Sequence, residues 1–338
     1  MNRLPAVRRR AITVSQETLT RETYLRPEAT LPLVIEPAIE NLNLLAWAAE
    51  HRDAIEQSLL RHGGILFRGF PVSDPETFQE FCRSLSGELL EYRERSSPRS
   101  KVHGNVYSST DYPADQRIFL HNEHSYSLTF PLRLYFFCET PAAAGGETPI
   151  ADTRRVLRRI DPHVVQRFVE RKWMYVRNFG DGFGLSWQTV FQTHDKSAVE
   201  RYCEAAGIDV EWKPGNRLRT RQVRDVFTVH PRTGEPLWFN HATFFNVSTL
   251  EPHIRETLRA EFAEEDLPNN SYYGDGSRIE PEVLDQLRSA YEQELIAFPW
   301  RKGDILLLDN MLAAHGRAPY AGERKILVAM AQPVTRQK

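Results

Sequence analysis

Two apolar runs toward the C-terminal end, Asp304 to Asp309 and Lys325 to Ala331, constrain the fold more than any other feature of this chain. Each is short, is rich in Leu, Ile or Val, and stands apart from the other across a connection containing Gly and Pro. Runs of this kind read as buried strands. Upstream, Ile118 to Leu120 and Leu132 to Cys138 carry a similar signal, followed by the turn pair Gly145-Gly146. The middle of the chain is therefore β-rich.

Helical spacing surrounds that part. Leu42, Leu44, Leu45, Ala48, Ile55, Leu59 and Leu60 recur at roughly helical intervals, and Gly63-Gly64 offers a left-handed stop before the strand Ile65-Leu66-Phe67. Ser73 and Glu76 form a capping box around Pro75, which predicts a second helix through about Leu85. Further helices are predicted at about 153–171, 195–206, 250–263 and 281–294. No repeat, low-complexity segment or Ser/Gly linker divides the chain. The expectation is one domain over residues 1–338, with an N-terminal arm at 1–35 and a β-sandwich core with helical insertions at 36–331.

Composition narrows the function classes. A hydrophobic share of 41% over 338 residues is enough for a sizeable core. The 43 basic and 45 acidic residues leave a net charge of −2, so no global field recommends nucleic acid or an acidic membrane as partner. Arg8 to Arg10, the one dense basic run, reads as a solvated tail. Cys82, Cys138 and Cys203 are too few and too scattered for a disulfide framework or a CxxC metal site. Without a signal-like or membrane-spanning apolar stretch, the expected location is the cytoplasm.

The chemistry concentrates in Phe119 to Tyr126, where an apolar strand runs into His121-Asn122-Glu123-His124. Side chains two apart on an extended strand share a face, so His121 and Glu123 can converge on one point. With a distant second imidazole they make a two-His-one-carboxylate site, which leaves positions open on iron(II) for a bidentate co-substrate and oxygen. His315, emerging beside Gly316 after the run Asp304 to Asp309, is one source of that imidazole. By pattern alone His230 and His241 are others. Arg324 lies nine positions beyond His315, before the last apolar strand, where its guanidinium could grip a carboxylate. The glycines between Gly180 and Gly184 lack the Lys-Ser/Thr of a phosphate loop, and Ser125 and Ser186 lack the hydrolase elbow.

Several segments together resemble a known family. They are H-N-E-H-S-Y from His121, G-G-E-T-P-I-A-D from Gly145, the stretch Arg177 to Phe191, F-P-W-R-K-G-D from Phe298, and D-N-M-L-A-A-H-G-R-A-P-Y from Asp309. The chain from about residue 100 to 331 is similar to the taurine dioxygenase and clavaminate synthase-like iron(II)/2-oxoglutarate oxygenases, in the branch with syringomycin-type aspartyl hydroxylases. The resemblance implies a double-stranded β-helix, a cupin-like jelly-roll, and an iron(II), 2-oxoglutarate and O2-dependent dioxygenase. It places iron on His121, Glu123 and His315, which are also the catalytic residues, and 2-oxoglutarate on Thr148 and Arg324, with Arg317 competing for the arginine's role. Halogenating relatives lack the carboxylate, so Glu123 points away from halogenation.

The branch further implies hydroxylation of an amino acid, free or tethered to a peptidyl carrier protein, in specialised metabolite and antibiotic biosynthesis. Desaturation or cyclisation by the same metal-based oxidant is one alternative, and a catalytically silent binding protein of the same fold another. For substrate contacts the candidates are Tyr126 and Trp187 as aromatic cavity walls, Arg219 as an anchor for an acidic group, and Asn240 at the pocket border. A core or solvated role competes for each of them.

Overall fold

A central sheet buried on both faces accounts for the unbroken apolar runs. The computed structural model describes residues 19–91, 99–110, 112–180, 182 and 184–336. Arg8 to Arg10 and the first half of the expected arm lie outside the described residues, as do Asp181 and Phe183 of the glycine loop. Eight strands lie in the order Thr20–Arg26, Ala29–Pro37, Gly64–Phe67, Ile305–Asp309, Thr129–Thr140, Lys325–Thr335, Val106–Ser108 and Lys101–His103. Neighbours are antiparallel, except that Ala29–Pro37 runs parallel to Gly64–Phe67.

Alternation within these strands feeds two separate cores. Leu327, Ala329 and Ala331 join Ile305 and Leu307 against Trp47, Leu59, Phe78 and Phe81 of the N-terminal helices. Ile326, Val328 and Met330 face the other way with Leu306 and Leu308, toward Ile150, Trp300 and Ala313. Burying each such aliphatic or aromatic side chain contributes about 1.5–3 kcal/mol over leaving it exposed, so covering both faces fixes the register of the sheet.

The second layer is a three-stranded sheet in which Ala313–Arg317 lies between Ile118–His121 and Ile150–Asp152. Together the two layers form the jelly-roll core, and the described residues are mainly β with helical insertions. A four-stranded insertion sheet, ordered Asp209–Lys213, Arg217–Arg224, Trp173–Phe179 and Asn269–Tyr273, flanks it. No helix among the described residues is long and apolar enough to cross a membrane.

Several local expectations change. The described part of the arm forms a hairpin, Thr20–Arg26 against Ala29–Pro37, at the edge of the main sheet. Its strand signal is weak because Pro32 and Pro37 interrupt the buried apolar run of Leu31, Leu33, Val34 and Ile35. The helix expected at 153–171 is two, Thr153–Arg159 and Pro162–Arg171, since Asp161 caps a new N-terminus with Pro162 in its first turn. The first helical region likewise divides into Leu44–Glu50 and Arg52–His62, the latter ending at left-handed Gly63 as expected. At Pro75–Ser86 the cap is Asp74, not Ser73: Asp74 Oδ1 accepts the Thr77 N–H at 2.8 Å.

Candidate metal centre

His121 ends the strand Ile118–His121, and His315 is central in Ala313–Arg317, directly opposite in antiparallel register. Their rings lie 4.5 Å apart between centroids. The strands close this tightly because residue 316 is glycine: a Cβ there would meet the Ile118 carbonyl oxygen at 2.6 Å. One ligand atom from each of His121, Glu123 and His315 falls within 4.8 Å of the others.

Glu123 arrives by a different route from the one its spacing suggested. The strand stops at His121, and residues 123–126 form a turn in which His124 has a φ of 56°. His124 lies on this turn and not on a strand. It is buried, with Nε2 3.6 Å from Glu123 Oε1.

Asn310, which lies in the segment D-N-M-L-A-A-H-G-R-A-P-Y but has no role legible there, holds this turn. Fully buried, it accepts the Glu123 N–H on Oδ1 at 2.7 Å and donates from Nδ2 to the Glu123 and Pro131 carbonyls, both at 2.8 Å. Asn122 Nδ2 in turn donates to the Asn310 carbonyl at 2.6 Å. The preceding residue, Asp309, is also fully buried and pairs with Arg133 and with His230 Nε2 at 3.0 Å. It further accepts the N–H groups of Met311 and Leu312 at 3.0 and 3.2 Å. That commitment removes His230 from the ligand alternatives, because its Nδ1 accepts the N–H groups of Arg232 and Thr233 and its Nε2 donates to Asp309. His241 lies closer: its ring is 5.7 Å from that of His121, but Nδ1 is hydrogen-bonded to Ser125 Oγ.

The protonation states suit a metal. Burial pushes the imidazoles of His121 and His315 below their ordinary range, so both are neutral at pH 7 with a lone pair to offer. His121 Nδ1 lies 2.9 Å from the Phe119 carbonyl, which accepts its N–H and so leaves the unprotonated Nε2 as the ligand nitrogen. His315 Nδ1 is buried without a hydrogen-bond partner among the described residues. Burial pushes the Glu123 carboxyl up, yet the Arg99 guanidinium beside it holds it well below the usual carboxylate range. Two neutral imidazoles and one ionised carboxylate fit a divalent iron.

Beside the triad lies a cavity walled by Arg99, Phe136, Thr148, His315, Arg317 and Arg324. Thr148 Oγ1 accepts from Trp300 Nε1 at 3.2 Å and from Arg324 Nη2 at 3.5 Å, which leaves its own hydroxyl proton available. Arg324 also donates from Nε to the Gly146 carbonyl at 2.8 Å. Arg317 has both terminal nitrogens on backbone carbonyls, those of Tyr112, Pro113 and Gln116. Thr148 and Arg324 are thus paired across the cavity, whereas Arg317 is tied to the loop beside it.

The proposed substrate residues separate. Tyr126 is buried against His124, His241, Tyr175 and Phe245, next to the triad's neighbours. Trp187 packs with Phe179, Val190 and Cys203 in the core of the insertion sheet and donates its indole N–H to the Asn216 carbonyl at 3.1 Å. Arg219 is bound to Asn178, the Glu265 carbonyl and Asp266. Asn240 closes a turn between the Val226 carbonyl and the Ala242 N–H. The polar atoms of those last three are committed to the fold.

Comparison with known proteins agrees with this geometry. The family model described as "Taurine catabolism dioxygenase TauD, TfdA family" matches residues 28–330. The dapdiamide synthesis protein DdaC of Enterobacter agglomerans is 41% identical over 280 residues, covering 83% of this chain and 85% of that protein. A clavaminate synthase-like protein of Arabidopsis thaliana is 29% identical over 317 residues, 90% of this chain and 91% of its own. Among solved structures, PvcB of Pseudomonas aeruginosa superposes with a TM-score of 0.56 at 18% identity, over 92% of this chain and 90% of that one. PvcB is described as an Fe, alpha-ketoglutarate dependent oxygenase from an isonitrile synthetic pathway. With the family match extending over most of its length, the chain belongs to the taurine catabolism dioxygenase TauD, TfdA family and is an iron(II)- and 2-oxoglutarate-dependent dioxygenase.

Proposed function

We propose that this dioxygenase hydroxylates an amino-acid-like substrate, free or tethered to a peptidyl carrier protein, in the biosynthesis of a specialised metabolite. It acts as one oxygenase domain in the cytoplasm. The observation that carries the reading is the convergence of two sets of side chains on one cavity: the His121, Glu123 and His315 cluster and the Thr148 and Arg324 pair. Similarity to a dapdiamide synthesis protein supports a biosynthetic role, and the carboxylate of Glu123 supports oxygen insertion over halogenation.

His121 Nε2, a Glu123 oxygen and His315 would hold iron(II). Bound there with 2-oxoglutarate and dioxygen, the metal supplies oxidative decarboxylation of the co-substrate to succinate and carbon dioxide, coupled to oxidation of a substrate C–H bond. Arg324 would grip the far carboxylate of 2-oxoglutarate while Thr148 donates its hydroxyl proton to it. Phe136, Ile326 and Val328, projecting from the inner face of the main sheet, keep the cavity wall apolar and exclude water from the reacting centre. Asn310 fixes the backbone of Glu123, so the carboxylate meets the two imidazoles without a search through conformations. Tyr126 is the proposed substrate-side aromatic.

The test is to incubate iron(II)-reconstituted protein with 2-oxoglutarate, oxygen and a panel of amino acids and aminoacyl carrier proteins, reading succinate and product mass. The expected product gains one oxygen atom in step with succinate. Loss of two hydrogens instead would assign desaturation or cyclisation. Absence of succinate with iron present and every panel member supplied would reduce the chain to a binding protein.

A further inference from the structure

Arg99 occupies the side of Glu123 that a metal needs. Its Nη2 donates to Glu123 Oε2 at 2.9 Å, and the two side chains are only 6% and 4% exposed. The same oxygen lies 3.7 Å from His315 Nε2, while Oε1 faces His124 at 3.6 Å. The guanidinium therefore uses a lone pair of the carboxylate oxygen on the distal-imidazole side. A dication shared by His121, Glu123 and His315 would claim that lone pair and lie close to the guanidinium. Like charges repel strongly where water is excluded. The cavity walls add Arg317 and Arg324 and, among the described residues, no acidic side chain to offset them.

We propose that Arg99 is the counter-ion of the metal-free site, holding Glu123 in place until the metal arrives and being displaced from Oε2 when it binds. Resting on the reading of the triad as the iron site, this makes Arg99 a positioning residue that acts through Glu123. In the metal-free protein a buried carboxylate among neutral imidazoles needs a cation, or it protonates or opens the site to water. Arg99 meets that need and, by the same contact, competes with the metal. Linkage makes the competition reciprocal, so whatever removes the guanidinium raises metal affinity.

The experiment titrates Mn(II) into the metal-free full chain by calorimetry without 2-oxoglutarate, comparing wild type with Arg99→Gln and Arg99→Lys. Arg99→Gln should bind Mn(II) about tenfold more tightly than wild type, within the usual range of coupling between sites. Arg99→Lys, which keeps a cation but loses the planar fork, should fall between them and stands in if the glutamine variant does not fold. Metal-free Arg99→Gln should melt below wild type, and saturating Mn(II) should close the gap, a pattern that general misfolding does not produce. Equal or weaker Mn(II) binding by the variants overturns the proposal. Failure of the wild type itself to bind Mn(II) would instead overturn the metal-site reading beneath it.

Discussion

Exchanging Arg324 and, separately, Arg317 for Gln decides which arginine grips 2-oxoglutarate. Arg324 makes one short bond, from Nε to the Gly146 carbonyl at 2.8 Å, and two long ones, to Ser109 Oγ at 3.3 Å and Thr148 Oγ1 at 3.5 Å. Bonds that long are weak, so its terminal nitrogens have donor capacity to spare for a ligand. Burial, with Arg317 nearby, pushes its guanidinium down to about 10, still charged at neutral pH. A hydrogen bond to a charged group contributes about 1.5–3 kcal/mol, so Arg324→Gln should raise the Kd for 2-oxoglutarate on the order of 10- to 150-fold. Arg317 instead donates to the carbonyls of Tyr112 at 2.9 Å and Gln116 at 2.8 Å, and to that of Pro113. Its replacement strips three backbone acceptors of their donors, at about 1 kcal/mol each. Arg317→Gln should therefore lower Tm on the order of 5 °C while 2-oxoglutarate affinity changes little. Anaerobic calorimetry of 2-oxoglutarate into Mn(II)-loaded protein, with thermal melts beside it, measures both quantities. A larger loss of 2-oxoglutarate affinity in Arg317→Gln than in Arg324→Gln would move the clamp to Arg317.

Three other substitutions probe the supports and the rejected candidates. Asn310→Ala removes the partners of the Glu123 N–H and of two carbonyls, so it should cost about 3–5 kcal/mol of stability and weaken Mn(II) binding. Unchanged Mn(II) affinity would show that Glu123 holds its place without Asn310. Burial pushes Asp309 up, but His230 and Arg133 hold its carboxyl below the usual range, so the folded state binds its proton less readily than the unfolded chain. The stability this confers is present above the unfolded value of about 4 and is lost as pH falls toward the lower folded value. Asp309→Asn should be less stable at neutral pH, and its denaturant midpoint should fall less steeply than that of wild type below about pH 4. Parallel profiles would refute the pairing. Arg219→Gln breaks bonds of 2.8, 2.6 and 2.6 Å to Asn178, Glu265 and Asp266 and should lower Tm while leaving substrate KM within about twofold. A raised KM at unchanged Tm would restore Arg219 as a substrate anchor.

What the sequence discloses follows from how local each determinant is. The runs ending at Asp309 and Ala331 are readable as strands because burial on both faces makes every position apolar. Ala29–Pro37 is buried the same way but carries Pro32 and Pro37, and a pattern interrupted by proline looks like an arm. His121 and Glu123 are readable as a pair, while their geometry is not: the two-residue spacing suits a strand, yet the strand stops at His121 and a turn delivers the carboxylate. Arg317 and Arg324 are indistinguishable by spacing because the carbonyls that immobilise Arg317 belong to Tyr112, Pro113 and Gln116, about two hundred residues away. Asn310 falls in a segment that carries the family resemblance, but its role is illegible, and Arg99 leaves no trace at all. An asparagine after a strand is an ordinary turn residue, and only the fold brings it to Glu123.

The same placement explains why the site can be complete before a metal binds. His315 lies on the central strand of its sheet, with His121 opposite on one side and Ile150 on the other, so backbone pairing fixes where its side chain starts. Glu123 has no strand to hold it, since its turn must leave the sheet to bring the carboxylate round. Its position is therefore set by side chains: Asn310 on the backbone and Arg99 on the carboxylate. Asn310 is anchored in its turn by the buried charge of Asp309, whose partners Arg133 and His230 come from Thr129–Thr140 and from the turn after Phe227–Val229. The carboxylate that completes the metal site thus depends on contacts from four separated parts of the chain, and the two histidines on only one sheet. Weakening of the site by mutation should consequently begin at Glu123 and its supports, with the His121–His315 pair persisting until the three-stranded sheet itself opens.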